Sequence, residues 1–169
     1  MPLLHLLFIT ALCAAASLLH GDDDTALSQT DREFLTQAIS FSTAEIRMAR
    51  IAMHRHLLVP LQSLADTMVV SHSAALRQLL AWSRDKQAGV AEEIQPGDLM
   101  AVDALNGVSD GEVGERFVKM RIDWLRRSID LFAIEIDDGN DIDLKEFAAT
   151  AQAQARLDLD AAQVLEAQH

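Results

Sequence analysis

The spacing of apolar residues is the feature that most constrains how this chain folds. In four long segments, apolar or small side chains recur every three or four positions, the period that gives an α-helix one buried face. The chain has three prolines in 169 residues and no tyrosine, and residues with high helix propensity dominate it. A β-sheet has few residues to be built from, so the sequence predicts an all-α fold.

The first two predicted helices, A and B, are separated by a short turn. Thr30 and Glu33 have the spacing of a capping box, in which the hydroxyl accepts a free backbone N–H and the carboxylate reaches back, so helix A is predicted over 31 to 57. Pro60 suits the first turn of helix B, which continues to Lys86. Because the connection is short, the two helices are expected to run antiparallel.

A longer connection leads to helices C and D and includes a short helix predicted over 98 to 105. Ser109 and Glu112 form a second capping-box spacing ahead of helix C, predicted over 110 to 137, and helix D is predicted from Ile142. Short, long and short connections between four amphipathic helices predict an antiparallel four-helix bundle, ferritin-like, with a short extra helix in the long B–C connection.

The composition fits one acidic domain. Half of the residues are apolar, and 169 residues suffice for one well-buried core but not for two ordinary domains. The formal net charge is -12, whereas nucleic-acid binding needs clustered lysine and arginine side chains that neutralise phosphates. The sequence therefore predicts no nucleic-acid partner.

The first residues have the pattern of an export signal. Residues 3 to 19 form an apolar run, Ala14 to Ala16 supply the small side chains that leader peptidases accept, and an acidic stretch follows Gly21. The predicted organisation is a signal peptide over 1 to 20, an acidic linker over 21 to 29 and the four-helix bundle domain over 30 to 169.

Two other interpretations of this segment stay open. An uncleaved N-terminal anchor would need about 20 apolar residues to span a bilayer, and the run is marginal against that length. A lipidated Cys13 is disfavoured because Leu12 is bulky where lipoprotein signals carry a small residue. The protein is predicted to be exported, periplasmic or associated with the outer membrane, and to meet a membrane only through this segment if it is uncleaved.

Three polar residues interrupt the apolar faces of the predicted helices. Glu45 lies near the middle of helix A, His72 near the middle of helix B and Asp158 near the middle of helix D. In an antiparallel bundle, side chains at the midpoints fall at one level. Carboxylate and imidazole groups are ligands for first-row metals and zinc, so one hypothesis is a mononuclear site for a divalent metal made by these three residues. The other is a buried hydrogen-bonded cluster, in which His72 pairs with Glu45 or Asp158 and nothing is bound.

The sequence lacks the common di-iron and catalytic motifs, and its other histidine pair is not spaced to bind a metal. Di-iron bundles carry Glu-x-x-His on two helices, but Val69 stands three residues before His72, and helix C offers no evident ligand. His54 and His56 are two residues apart and cannot chelate one ion from a helix, so we interpret them as solvated side chains. No phosphate-binding glycine loop, nucleophile elbow or metalloprotease motif occurs. The sequence does not predict an enzyme.

Several short motifs resemble, in their order and spacing, those of a known family. The sequence Asp31-Arg32-Glu33-Phe34-Leu35, the Glu45 position, the stretch Ala65 to His72, and Phe147-Ala148 followed by Asp158 to Gln163 are similar to motifs of the bacterial domain of unknown function 4142 family. The resemblance spans about residues 31 to 166. It implies an exported, ferritin-like helical protein.

The chain departs from this family at polar core positions. The closing histidine of the family corresponds to Asp158, and its helix C histidine falls on Leu125, so only Glu45 and His72 keep their residue types. If relatives bind a metal at these positions, this chain has lost one ligand and exchanged another. The resemblance therefore supports the fold more strongly than it supports a metal site.

Two functional hypotheses follow. The first is a non-enzymatic, exported bundle that acts in the cell envelope or periplasm by binding a partner protein or a small ligand, and it needs no cofactor. The second is a mononuclear metal-binding bundle for metal handling or stress protection, with one divalent ion held by Glu45, His72 and Asp158.

Overall fold

The structure is a computed structural model and describes residues 26–168. Its helices are α1 (Gln29–Met53), α2 (Val59–Asp85), α3 (Pro96–Ala104), a 3-10 turn (Leu105–Gly107), α4 (Val113–Asp138) and α5 (Ile142–Glu166). Between residues 26 and 168 there is no β-strand, which confirms the all-α prediction. The predicted signal peptide and most of the acidic linker lie outside the described residues.

The start of α1 differs from the sequence prediction. The Ser28 hydroxyl accepts the backbone N–H of Asp31 at 3.1 Å, and the Asp31 carboxylate accepts the backbone N–H of Ser28 at 2.6 Å. The capping box therefore uses Ser28 and Asp31, not Thr30 and Glu33, and the helix begins two residues earlier than predicted. The prediction was wrong because an aspartate at the third helical position can accept the backbone N–H of the N-cap residue, as a glutamate does in the usual capping box.

The start of α4 differs as well. The Ser109 hydroxyl bonds the Glu112 carboxylate at 2.5 Å, while its carbonyl accepts the N–H groups of Glu112 and Val113. Because the two side chains bond each other and not the free N–H groups, no capping box forms, and the helix begins at Val113. The helix A prediction also ran too far, since α1 ends at Met53 and the chain reverses before α2.

The long helices pack as two pairs. Helix α1 packs against α2, α4 packs against α5, and α1 also contacts α4, which joins the pairs into a helical bundle. Helices α2 and α5 make no comparable contact. On the other side, α2 and α5 meet through side chains, with Trp82 edge-on to Phe147 at a centroid distance of 5.6 Å and Lys86 bonded to Asp141 at 2.7 Å. No helix within residues 26–168 is both long enough and apolar enough to cross a membrane.

A buried pair of carboxyl groups closes one end of the bundle. Asp31, at the start of α1, accepts the N–H groups of Asn140 and Asp141 at 3.0 and 3.1 Å and so holds the α4–α5 turn. Glu135, in the last turn of α4, is fully buried beside it. Burial, followed by the hydrogen bond and the charge of Asp31, raises the pKa of Glu135 to about 8.

Protonation of Glu135 explains how its carboxyl group can be buried next to Asp31. Neither carboxyl oxygen of Glu135 accepts a hydrogen bond from any described residue, so an ionised Glu135 would be a buried charge without a donor. A protonated Glu135 can donate to Asp31, and this hydrogen bond is one of the causes of its raised pKa. Gly139 completes the packing, because a Cβ atom there would lie 2.5 Å from both the carbonyl oxygen and Oε1 of Glu135.

Candidate functional site

An arginine lies at the centre of the polar cluster. Arg121, near the middle of α4, has a side chain that is only 4% exposed. Its Nη1 group donates to Oε1 and Oε2 of Glu45 at 2.5 Å each, and its Nη2 group donates to Oδ2 of Asp158 at 3.0 Å. One guanidinium therefore connects three helices, α1, α4 and α5.

His72 adds the fourth helix. Its Nε2 atom contacts Glu45 Oε2 and lies 3.3 Å from Nη1 of Arg121. The guanidinium can only donate, and Nε2 cannot donate to Glu45 and accept from Arg121 at the same time. We assign the proton to Nε2 because its contact with the carboxylate is the shorter one. We call these four residues, Arg121, Glu45, His72 and Asp158, the Arg121 cluster.

The cluster holds Glu45 in its ionised form. Burial alone raises the pKa of this carboxyl group, but the positive charge of Arg121, together with His72, outweighs burial and lowers the pKa to about 2. A carboxylate with so low a pKa and with both oxygens already bonded is a poor proton acceptor near neutral pH. Glu45 is therefore suited to hold Arg121 in place and unsuited to act as a general base.

The structure brings together the three residues singled out in the sequence, around a residue that sequence reasoning missed. Glu45, His72 and Asp158 gather at the guanidinium of Arg121. An arginine on an amphipathic helix ordinarily extends its charge towards solvent. A signal was available, because position 121 is four residues from both Phe117 and Leu125, on the apolar face of helix C.

A cavity of about 330 Å³ adjoins the cluster and reaches the surface at Ser71 of α2 and at Thr150 and Gln154 of α5. Its walls carry large apolar side chains, chiefly Phe41, Leu79, Leu125, Phe132 and Phe147. Alanines at positions 75 and 151 line it from α2 and α5, where larger side chains would fill the gap. We call this space the central cavity. It has the size of a pocket for a small molecule.

Arg121, which lines this cavity, retains one unused donor within the packed interior. The Nε atom of Arg121 is buried and has no hydrogen-bond acceptor among residues 26–168. A buried donor without a partner costs about 1–3 kcal/mol. The Nη groups of Arg121 are taken up by Glu45 and Asp158, so the polar side of the central cavity is an ion-pair cluster whose bonds are already made.

Other candidate ligands are placed apart from this site. His54 and His56 are exposed at the end of α1. Among the described residues, no group of three or more histidine, cysteine, aspartate or glutamate side chains is arranged so as to hold a metal ion. Glu45, His72 and Asp158 use their inward-facing atoms on Arg121 or on one another, so a metal at this position would have to displace the guanidinium.

The helical fold and the sequence both have relatives. A crystal structure of a DUF305 fragment from Deinococcus radiodurans superposes with a TM-score of 0.76 at 13% identity, covering 85% of this chain and 99% of the fragment. At this identity the likeness shows a common fold and nothing about activity. No curated protein matches the chain significantly. The model of the family DUF4142, described as a domain of unknown function, matches residues 16–165, and this chain therefore belongs to that family.

Proposed function

We propose that this protein is a non-enzymatic binding protein that holds a small, mainly apolar molecule in the central cavity. The carrying observation is about 330 Å³ of space with mainly apolar walls and the polar Arg121 cluster on one side. Pockets for small ligands typically combine apolar lining with few polar groups that fix orientation. The exposed lining residues Ser71 on α2 and Thr150 and Gln154 on α5 provide the entry path.

A substitution that fills the cavity tests this function. We expect Ala151→Phe to reduce binding of octanol by about tenfold or more, because the ring would occupy space that the ligand needs. The measurement is isothermal titration calorimetry on the full chain. The folded state should not be destabilised by this change, because the phenyl group fills an existing space and buries apolar surface.

The matched control is Ala153→Phe, which places the same ring on the exposed face of α5, outside the cavity. It should leave octanol binding unchanged. Equal binding by the unmodified protein and the Ala151→Phe variant would contradict the proposed site, as would the absence of any binding to the unmodified protein.

The proposal includes a finer description of the fold and a place of action. We propose an antiparallel four-helix bundle of the ferritin-like kind, supported by the two packed helix pairs and by α3 in the long connection. We also propose that the protein acts in the cell envelope, in the periplasm or at the outer membrane. The apolar run at 3 to 19, ahead of an acidic segment, supports this location.

A mononuclear metal site is the second candidate, and one observation favours it. Three oxygen- or nitrogen-bearing side chains from three helices gather at one cationic position, which Arg121 fills. If a metal replaces the guanidinium there, purified protein equilibrated with Zn²⁺ should retain one ion per chain by elemental analysis, and His72→Ala should abolish it. Retention that His72→Ala does not reduce would contradict this candidate.

A further inference from the structure

A second cavity is lined by α1, by α2 and by the connection between α2 and α4. It has a volume of about 660 Å³ and shares no lining residue with the central cavity. Four of the side chains around it are arginines, Arg47, Arg50, Arg55 and Arg77. We call this space the arginine groove.

Positive charge is concentrated in the arginine groove, although the protein as a whole is acidic. The chain has 14 lysine and arginine residues against 26 aspartate and glutamate residues, and four of the 14 line this one space. Among the described residues, Glu92 is the only acidic one that lines it. An anion is therefore attracted here, whereas the overall charge of the protein repels it.

Two of the arginines are held in place by ion pairs at the edge of the groove. Arg47 donates to Asp103 at 2.5 Å, and Arg55 donates to Asp110 at 2.6 Å and to the carbonyl oxygen of Val108 at 2.5 Å. A guanidinium group has five N–H donors, so each of these arginines keeps donors beyond those bonds. Side chains that are already ordered lose less entropy when a ligand binds.

The other two arginines carry the unbalanced charge. Arg50 and Arg77 are exposed, and neither takes part in an ion pair within residues 26–168. Once the pairs of Arg47 and Arg55 are counted, these two guanidinium groups face the single carboxylate of Glu92. The groove keeps one positive charge in excess, and protonation of His54, which also lines it, would only add to that excess.

The groove also has apolar walls. Five aliphatic side chains line it, and those at positions 46 and 76 are buried: Ile46, Ile51, Leu76, Leu80 and Ile94. A hydrocarbon chain that covers this surface is stabilised by the loss of its contact with water. The volume of about 660 Å³ is in the range of pockets for small molecules and, at about 30 Å³ for each heavy atom, corresponds to about 20 heavy atoms.

From these observations we infer that the arginine groove is a second binding site, which takes a single-chain anionic amphiphile. Its acidic head group pairs with the guanidinium groups that lack a carboxylate partner, because arginine binds carboxylates and phosphates through strong, charge-assisted hydrogen bonds. Its hydrocarbon chain lies on the aliphatic side chains. The inference is independent of the proposed function, since the two cavities have no lining residue in common.

Decanoate, which is ionised near neutral pH, is the ligand for the test. It is titrated into the full chain by isothermal titration calorimetry, and acetate, which has the same head group without the chain, is titrated in parallel. Arg50→Gln combined with Arg77→Gln should weaken decanoate binding by about tenfold or more, because it removes both unpaired guanidinium groups. Both positions are exposed, so the variant should keep the circular dichroism spectrum of the unmodified protein.

The control has the same net charge as this variant. Arg84→Gln combined with Arg156→Gln removes two exposed arginines of α2 and α5 that line neither cavity, and it should leave decanoate binding unchanged. Equal losses in the two double variants would overturn the inference, as would the absence of decanoate binding or acetate binding as tight as that of decanoate. Octanol binding should be the same in all these proteins, and its absence would contradict the proposed function alone.

Discussion

Replacing Arg121 with methionine should lower the free energy of unfolding by about 3–5 kcal/mol, because it leaves the buried carboxylate of Glu45 without its cation. Glu45 is 1% exposed, and each of its two carboxylate oxygens accepts a hydrogen bond from the Nη1 group of Arg121. Methionine fills much of the volume that the aliphatic stem of arginine occupies, so the loss reports on charge and not on a cavity. Urea denaturation followed by circular dichroism measures it.

Arg126→Met is the matched control for this prediction. Arg126 lies on the exposed face of the same helix and has only a 3.6 Å contact with Asp123, so its replacement should change stability by about 0.5 kcal/mol or less. Equal effects of the two substitutions would show that the ion pair with Glu45 contributes no stability.

A double variant separates the charge from the packing. Glu45→Leu combined with Arg121→Met removes both buried charges and keeps apolar volume, and it should recover most of the stability that Arg121→Met loses.

Acid should also destabilise the unmodified protein, because protonation of Glu45 removes the charge that pairs with Arg121. The pKa of Glu45 is lowered from 4.5 to about 2 in the folded state, so its contribution is present above 4.5 and is lost as the pH falls towards 2.

The second large effect is expected at the other end of the bundle, and it has the opposite dependence on pH. The folded state raises the pKa of Glu135 from 4.5 to about 8. Below pH 4.5 Glu135 is protonated in both the folded and the unfolded state, so its ionisation does not change the free energy of unfolding. Between 4.5 and 8 the unfolded chain releases the proton while the folded chain retains it, so stability falls as pH rises and levels off above 8.

Glu135→Gln should remove this loss. Glutamine keeps the shape of the side chain and can donate to Asp31 at any pH, so the variant should be more stable than the unmodified protein at pH 8, by about 4 kcal/mol from the size of the pKa shift. At about pH 4.5 the two proteins should differ little. Urea midpoints measured at both values give the comparison.

The control for this prediction is Glu146→Gln, an exposed position on α5 where the same substitution should leave the pH profile unaltered. If Glu135→Gln is not more stable at pH 8, or if the unmodified protein gains stability between pH 5 and 8, the carboxyl pair of Asp31 and Glu135 does not share a proton as described.

Helical periodicity, read from the sequence, was sufficient to predict the all-α fold, and for α2 it placed both helix ends to within one residue. It was sufficient because an apolar stripe has to be buried whichever partner covers it. The same reasoning singled out Glu45, His72 and Asp158, since a polar residue in such a stripe has to find a partner inside. Helix starts were predicted less well, because serine, threonine, aspartate and glutamate offer several competing caps within one turn.

What the tertiary structure alone decided is which partner each buried polar group takes. Arg121 lies at an apolar position of its helix, but its long side chain could have reached solvent, and only the carboxylates of α1 and α5 make burial favourable. Asp31 and Glu135 are more than a hundred residues apart, and no local pattern indicates that they meet. Periodicity specifies the face on which a residue lies, whereas its charge partner depends on how separate helices are brought together.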